Sequence, residues 1–155
     1  MFICIEVIMK RVNLYTDGAC KGNPGPGGYG VILEYKGKEK EISDGNRSTT
    51  NNRMELMAAI VGLETLKEPC EVMLYSDSKY LVDAIEKGWL ANWRRNNWRK
   101  ADRSPVLNVD LWERLIVQLE RHNVILNWIK GHNGHPKNER CDRLAVAAAE
   151  RVMLG

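Results

Sequence analysis

The sequence predicts a single α/β domain built on a mixed sheet, and three observations predict it. Three strand-like segments follow one another through short links in the first third of the chain, the pattern of an antiparallel meander. Helical and strand-like segments alternate after that, which implies parallel pairing. The length, 155 residues, suits one domain. A domain of this size buries roughly 68–70% of its unfolded surface and needs no disulfide or metal to hold its core.

Composition narrows the class. Hydrophobic residues make up 44% and charged residues 28%, ordinary values for a soluble globular protein. No apolar run approaches the roughly 18 residues of a membrane span. Met1 to Met9 is apolar but short, contains Glu6 and lacks a basic start and a small-residue cleavage site, so it does not read as a signal peptide. Met9-Lys10-Arg11 resembles a start of its own, which makes residues 1–8 an expected N-terminal extension. Cys4, Cys20, Cys70 and Cys141 form no Cys-x-x-Cys pair and read as free thiols of a reducing compartment, here expected to be the cytoplasm.

The first strand is Val12-Asn13-Leu14-Tyr15-Thr16-Asp17-Gly18. Val12, Leu14 and Thr16 share one face; Asn13, Tyr15 and Asp17 share the other. Asp17 thus ends a strand, where open α/β sheets bind ligands, although Asp-Gly is also a hairpin-turn signal. Gly18 to Gly28 is so dense in glycine and proline that a loop is expected. It lacks the Gly-Lys-Ser/Thr ending of a phosphate loop. Tyr29 to Tyr35 is a second strand, Lys36-Gly37-Lys38 a turn, and Glu39 to Ser43 a third strand. Thr49-Thr50-Asn51-Asn52 opens a helix whose buried face carries Leu56, Ala59, Ile60 and Leu63. Glu55 falls in its first turn, where Asn52-x-x-Glu55 resembles a capping box. Pro69 closes the helix.

Glu71 to Ser76 is a fourth strand, followed by Asp77, itself a possible N-cap, and by a helix over about 79–86 with Leu81, Val82 and Ile85 inside. Residues 87–103 form a basic protrusion. Lys87, Arg94, Arg95, Arg99, Lys100 and Arg103 stand against Asp102 alone, a net +5 in a chain of net +3, so the remainder carries −2. Tryptophans interleave with these cations, a composition suited to a nucleic-acid backbone. Trp89 and Trp93, four apart, are expected to anchor it in the core while the arginines are solvated. Asn108 to Arg121 is a helix burying Trp112, Leu115, Ile116 and Leu119; Val124 to Ile129 is a strand. Lys130 to Pro136 is a loop with His132 and His135. With Cys141 these match no common zinc spacing. The last helix runs from about Lys137 to Met153, with Cys141, Leu144, Ala145 and Ala148 inside and Asp142 adjoining that face.

Asp17, Glu55, Asp77 and Asp142 each have an innocent reading, as turn, cap, cap and surface acid. Together they sit at two strand ends and two helix starts, positions that converge on one rim of a sheet. Clustered carboxylates repel, and at least one holds its proton unless a cation is present. Hard divalent cations bound through oxygen, typically Mg²⁺, explain the set better, and a pair of them serves in-line phosphoryl displacement.

Tyr15-Thr16-Asp17-Gly18, Gly22-Asn23-Pro24-Gly25-Pro26-Gly27-Gly28-Tyr29-Gly30, Thr50-Asn51-Asn52-Arg53-Met54-Glu55-Leu56 and Ser76-Asp77-Ser78 resemble bacterial type 1 ribonuclease H. So do Gly131-His132, Gly134-His135-Pro136 and Asn138-Glu139-Arg140-Cys141-Asp142. The match runs in order from about Met9 to the last helix. The resemblance implies a five-stranded mixed sheet of order 3-2-1-4-5 with helices on both faces. It implies endonucleolytic cleavage of the RNA strand of an RNA–DNA hybrid, leaving 5′-phosphate and 3′-hydroxyl ends. Asp17, Glu55, Asp77 and Asp142 match the acids that bind two Mg²⁺ ions, which Mn²⁺ can replace, and His132 matches a loop histidine of proton transfer or product release. Cys20, Asn23, Asn51 and Asn52 match minor-groove contacts. Thr50 and Asn108 match a pocket for a DNA-strand phosphate, and Trp93, Arg94, Arg95, Trp98 and Arg99 fall in the family's basic protrusion. Lys79 departs from the Gln common in relatives and is expected to add a substrate contact. Nothing in the sequence demands more than a monomer, and a monomer without an obligate protein partner is expected. The alternative to the nuclease is a non-catalytic hybrid-binding module on the same fold, and a weaker one is a metal nuclease for DNA junctions or ends.

Overall fold

The computed structural model describes residues 8–130 and 135–155; Cys4, His132 and the rest of 131–134 lie outside the described residues. The elements are β1 (Lys10–Cys20), β2 (Gly25–Tyr35), β3 (Lys38–Thr49), α1 (Asn51–Thr65), β4 (Cys70–Ser76), α2 (Lys79–Glu86), α3 (Trp89–Arg95), α4 (Val109–Arg121), β5 (Asn123–Trp128) and α5 (Pro136–Leu154). The sheet order is β3-β2-β1-β4-β5. β1 to β3 pair antiparallel, and β4 and β5 add in parallel. This is the α/β architecture the sequence predicts.

Alternation along the strands builds two cores. Val12, Leu14, Val31, Leu33, Val72 and Leu74 face α1, together with Ile60, Leu63 and the fully buried Trp112 of α4. Tyr15 and Ile32 point the other way and meet Cys141 of α5, with Tyr75 and Leu144 beside them. Sequential strands covered on both faces explain why β1 and β2 are buried almost throughout.

The glycine-rich segment differs from the expected loop. Both its flanks are strand, and only residues 21–24 turn. The glycines serve close packing: a Cβ on Gly28 would lie 2.4 Å from the Ala145 carbonyl oxygen, and one on Gly30 2.2 Å from that of Cys141. Without side chains there, α5 lies directly on β2. Lys36-Gly37 forms the expected turn, both residues at positive φ (48° and 80°) as a type I′ hairpin requires. β3 runs on to Thr49, past the expected end at Ser43, because the same glycine stretch of β2 keeps pairing with it.

Two N-caps also differ. Thr50 caps α1, its hydroxyl accepting from the Arg53 N–H at 3.2 Å, so Glu55 lies beyond the first turn and caps nothing. The helix ends at Thr65, ahead of Pro69. Ser78 caps α2, its hydroxyl accepting from the Leu81 N–H at 3.2 Å, which leaves the Asp77 carboxylate out of the cap. Trp93 reaches the core beside Trp112 (ring centroids 5.8 Å), and Trp98 packs there too. Trp89, at the first turn of a short helix, stays 40% exposed, with the Trp93 ring at 6.3 Å and the Lys87 ammonium 5.4 Å from its own centroid. Ile116 and Leu119 are half-buried. In α5, Cys141, Ala145 and Ala148 are buried as expected, with Leu144 half-buried at the edge. Cys20, Cys70 and Cys141 are free thiols.

Candidate active site

The sheet order puts the ends of β1 and β4 side by side, since the two strands pair in parallel from Lys10–Cys70 to Tyr15–Tyr75. Asp17 lies two residues beyond the last of these pairs and Asp77 directly follows β4. Glu55 comes from α1, which reaches them over Gly18. A Cβ on Gly18 would lie 2.6 Å from the Glu55 nitrogen, so glycine is what admits the helix. One carboxylate oxygen from each of Asp17, Glu55 and Asp77 then falls within 4.8 Å of the others. Asp17 and Glu55 are 2% and 6% exposed. Asp142, in the second turn of α5, stands outside this tight trio, half-buried, but near enough for its charge to act on Asp17.

The electrostatics follow from burial. Burial first, then the Asp77 charge, push the Asp17 carboxyl up to about 8, against a lowering hydrogen bond from its neighbour Gly18 N–H at 2.9 Å. Glu55 is raised well above the usual carboxylate range by burial, Asp17 and Asp77. Asp17 Oδ2 and Glu55 Oε2 are buried with no hydrogen-bond donor among the described residues. Buried acceptors without donors are costly, and a hard cation satisfies them. An all-carboxylate set with two unsatisfied buried oxygens therefore fits a divalent metal.

Several of the other expected contact residues are tied to one another by hydrogen bonds. The Asn51 N–H donates to Asn23 Oδ1 at 3.2 Å, tying the 21–24 turn to the start of α1, where Asn51 and Asn52 are exposed. Cys20 Sγ donates to the Gly22 carbonyl at 2.7 Å. Arg53 joins Thr50 to Asn108: its N–H binds the Thr50 hydroxyl, and its Nη1 donates to Asn108 Oδ1 at 3.2 Å. Two further bonds, at 3.0 and 2.8 Å, lock it to Asp110. Asn108 Nδ2 in turn donates to the Tyr80 hydroxyl at 3.0 Å. Arg53 and Tyr80 are missed by sequence reasoning, although Arg53 lies inside a quoted motif; only the fold shows that they meet Asn108. The arginines of α3 and its following loop are exposed. Arg94 pairs with Glu120 at 3.0 Å, Arg95 contacts Asn92, and Arg99 donates to the Arg103 carbonyl. His135 does not join Cys141 in a metal site. Its ring packs on Tyr15 and Tyr75, while Cys141 Sγ donates to the Tyr15 carbonyl at 3.3 Å.

A mixed sheet of this order, with acids from β1, α1 and the end of β4 meeting at one rim, defines an α/β protein with an all-carboxylate cluster of a composition that fits hard divalent cations. The RNase H family profile matches residues 9–150, and the chain belongs to the RNase H family. It is 65% identical over 146 residues to a ribonuclease H of Desulforamulus reducens, covering 94% of this chain and 92% of that one. Among solved structures it resembles LC9-RNase H1, a type 1 RNase H with the type 2 active-site motif. That likeness has TM-score 0.83 and 31% identity over 94% of this chain and 75% of the other. It also resembles LC11-RNase H1 solved in complex with RNA/DNA hybrid, with TM-score 0.64 and 25% identity over 92% of this chain and 99% of the other.

Proposed function

We propose that this chain is an endoribonuclease that cuts the RNA strand of RNA–DNA hybrids and leaves 5′-phosphate and 3′-hydroxyl ends. The observation that carries the proposal is the buried trio of Asp17, Glu55 and Asp77 at the strand-end rim of an RNase H family chain. A protein that only bound hybrid would gain nothing from two buried like charges with unsatisfied oxygens.

Asp17, Glu55, Asp77 and Asp142 would hold Mg²⁺, or Mn²⁺ in its place. Bound there, the ions supply charge stabilisation for in-line phosphoryl displacement and lower the pKa of a water. The chain's own residues do the rest. Burial pushes the Asp17 and Glu55 carboxyls toward their protonated forms and a cation beside them would oppose this, which couples the charge of the site to metal loading. Cys20, Asn23, Asn51 and Asn52 present short polar groups to a minor groove where the 2′-hydroxyl distinguishes RNA from DNA. Thr50 and Asn108 receive a DNA-strand phosphate, with Arg53 fixing the geometry between them. Arg94, Arg95 and Arg99 grip the DNA backbone from a segment that Trp93 and Trp98 anchor on the core, so sequence preference is weak. His132 transfers a proton or assists product release. The protein acts as a monomer in the cytoplasm without an obligate protein partner; no helix among the described residues is long and apolar enough to cross a membrane.

The test is cleavage of a labelled RNA–DNA hybrid beside matched duplex DNA, duplex RNA and single-stranded RNA, with Mg²⁺ and with EDTA. Cutting is expected only in the RNA strand of the hybrid and only with metal. Tight hybrid binding without cutting would replace the enzyme by a binding module.

A further inference from the structure

Lys79 opens α2 two residues after Asp77. Its side chain is exposed, and none of the ion pairs among the described residues includes it. Its ammonium instead lies over the Trp128 ring, 4.8 Å from the centroid. Trp128 ends β5 in register with Ser76, and the Ile129 N–H donates to the Ser76 carbonyl at 2.9 Å. The indole is therefore fixed by the sheet one strand away from the acids, at the same rim. It is 43% exposed, one of the large apolar side chains left open to solvent.

An exposed tryptophan beneath a lysine that has no carboxylate partner among the described residues, next to a proposed nuclease centre, has no role in the core. We propose that Trp128 is a positioning residue: its ring holds the Lys79 ammonium on a phosphate of the RNA strand adjacent to the cut. The inference rests on the nuclease reading above and extends it. A free lysine loses rotamer freedom when it is fixed on a phosphate. Cation–π contact with the indole restricts that freedom beforehand. The ring remains too weak a partner to neutralise the charge, so the ammonium still exchanges counterions for phosphate. Because Lys79 flanks Asp77, its phosphate belongs to the strand being cut, whereas the exposed arginines near α3 lie beyond α2.

The experiment measures hybrid cleavage and its salt dependence for wild type, Lys79→Met, Trp128→Leu and the double variant. Both side chains are at the surface, so folding should survive, and thermal unfolding checks it. Lys79→Met should raise KM about three- to tenfold with kcat within about twofold, and lower the log–log salt slope by roughly 0.7–0.9, one phosphate contact. Trp128→Leu should raise KM about two- to fivefold with Lys79 present and change nothing further once Lys79 is Met. A neutral methylphosphonate at the contacted RNA phosphate should weaken wild type and leave Lys79→Met unaffected. An unchanged salt slope in Lys79→Met, or additive effects of the two substitutions, would overturn the inference while wild-type cleavage stands. Failure of wild type to cut hybrid would overturn the nuclease reading instead.

Discussion

Asp17 concentrates the chemistry of the site in one residue. Its carboxyl is pushed from an ordinary value near 3.8 up to about 8, so between those values the metal-free folded state binds more protons than the unfolded chain. Stability of the metal-free protein therefore falls as pH rises from about 4 to about 8, and Glu55 adds to the fall in the same direction. Asp17→Asn removes the charge and keeps the shape. It should stabilise the metal-free protein at pH 8 by about 1–3 kcal/mol, and by less at pH 5.5. Urea unfolding at the two pH values checks this; equal stability of both proteins at pH 8 would contradict the assigned burial. The same variant should lose a factor of about a thousand or more in Mg²⁺-dependent cleavage, as expected when a metal ligand is neutralised.

At the scale of elements, stability and site are joined through two contacts. The first is β2 against α5. Gly30→Ala would drive a methyl group into the Cys141 carbonyl, 2.2 Å from the ideal Cβ. It should cost about 1–3 kcal/mol in chemical unfolding. Because Asp142 follows Cys141 on the same helix, the apparent Mg²⁺ requirement for cleavage should rise with it. Wild-type stability in Gly30→Ala would mean that α5 can lift off β2 freely. The second contact is His122, at the end of α4. Its Nδ1 accepts from the Cys70 N–H at 3.0 Å and its Nε2 faces the Leu63 carbonyl at 3.2 Å, so the neutral ring with a proton on Nε2 ties α4 to β4 and α1. Burial, then the Arg121 charge, hold His122 below the usual histidine value. Its contribution is present above about pH 6.5, the unfolded value, and is lost as pH falls through the lower folded one. His122→Ala should cost about 1–3 kcal/mol at pH 7 and show a shallower loss of stability on acidification. An unchanged acid limb would assign that loss to other groups.

Across the whole molecule, charge is divided between two regions. The acids meet at the strand ends, while the cations of residues 87–103 give a local net +5 on a body of −2. On the proposed function, an anionic duplex would be drawn to one side and presented to the other. Replacing Arg94, Arg95 and Arg99 with alanine should weaken hybrid binding and flatten its salt dependence by roughly 0.7–0.9 per lost phosphate contact. Arg94 already shares its charge with Glu120 at 3.0 Å, so its share of the loss should be the smallest of the three if Glu120 stays in place. An unchanged slope in filter binding would remove the protrusion from the grip.

The sequence by itself determined the order of the elements and pointed to the three acids that the fold brings together. Side-chain periodicity and motif order are local properties: Val12, Leu14, Leu56, Ile60 and Leu63 announce their faces through spacing alone, and Asp77 announces a strand end, whereas β1 runs three residues past Asp17. Tertiary structure decided what each polar or small residue does with its freedom. Gly28 reads locally as loop and Gly30 as an ordinary strand residue, because nothing nearby in sequence tells that α5 will press on them from more than a hundred residues away. Glu55 and Asp77 read locally as caps, yet Thr50 and Ser78 take those bonds and the two carboxylates are left for the rim. The link from Thr50 through Arg53 to Asn108, and Lys79 over Trp128, likewise join residues about fifty positions apart. Contacts of that kind exist only once the sheet has set its strands side by side, and the sheet order is a property of the whole chain.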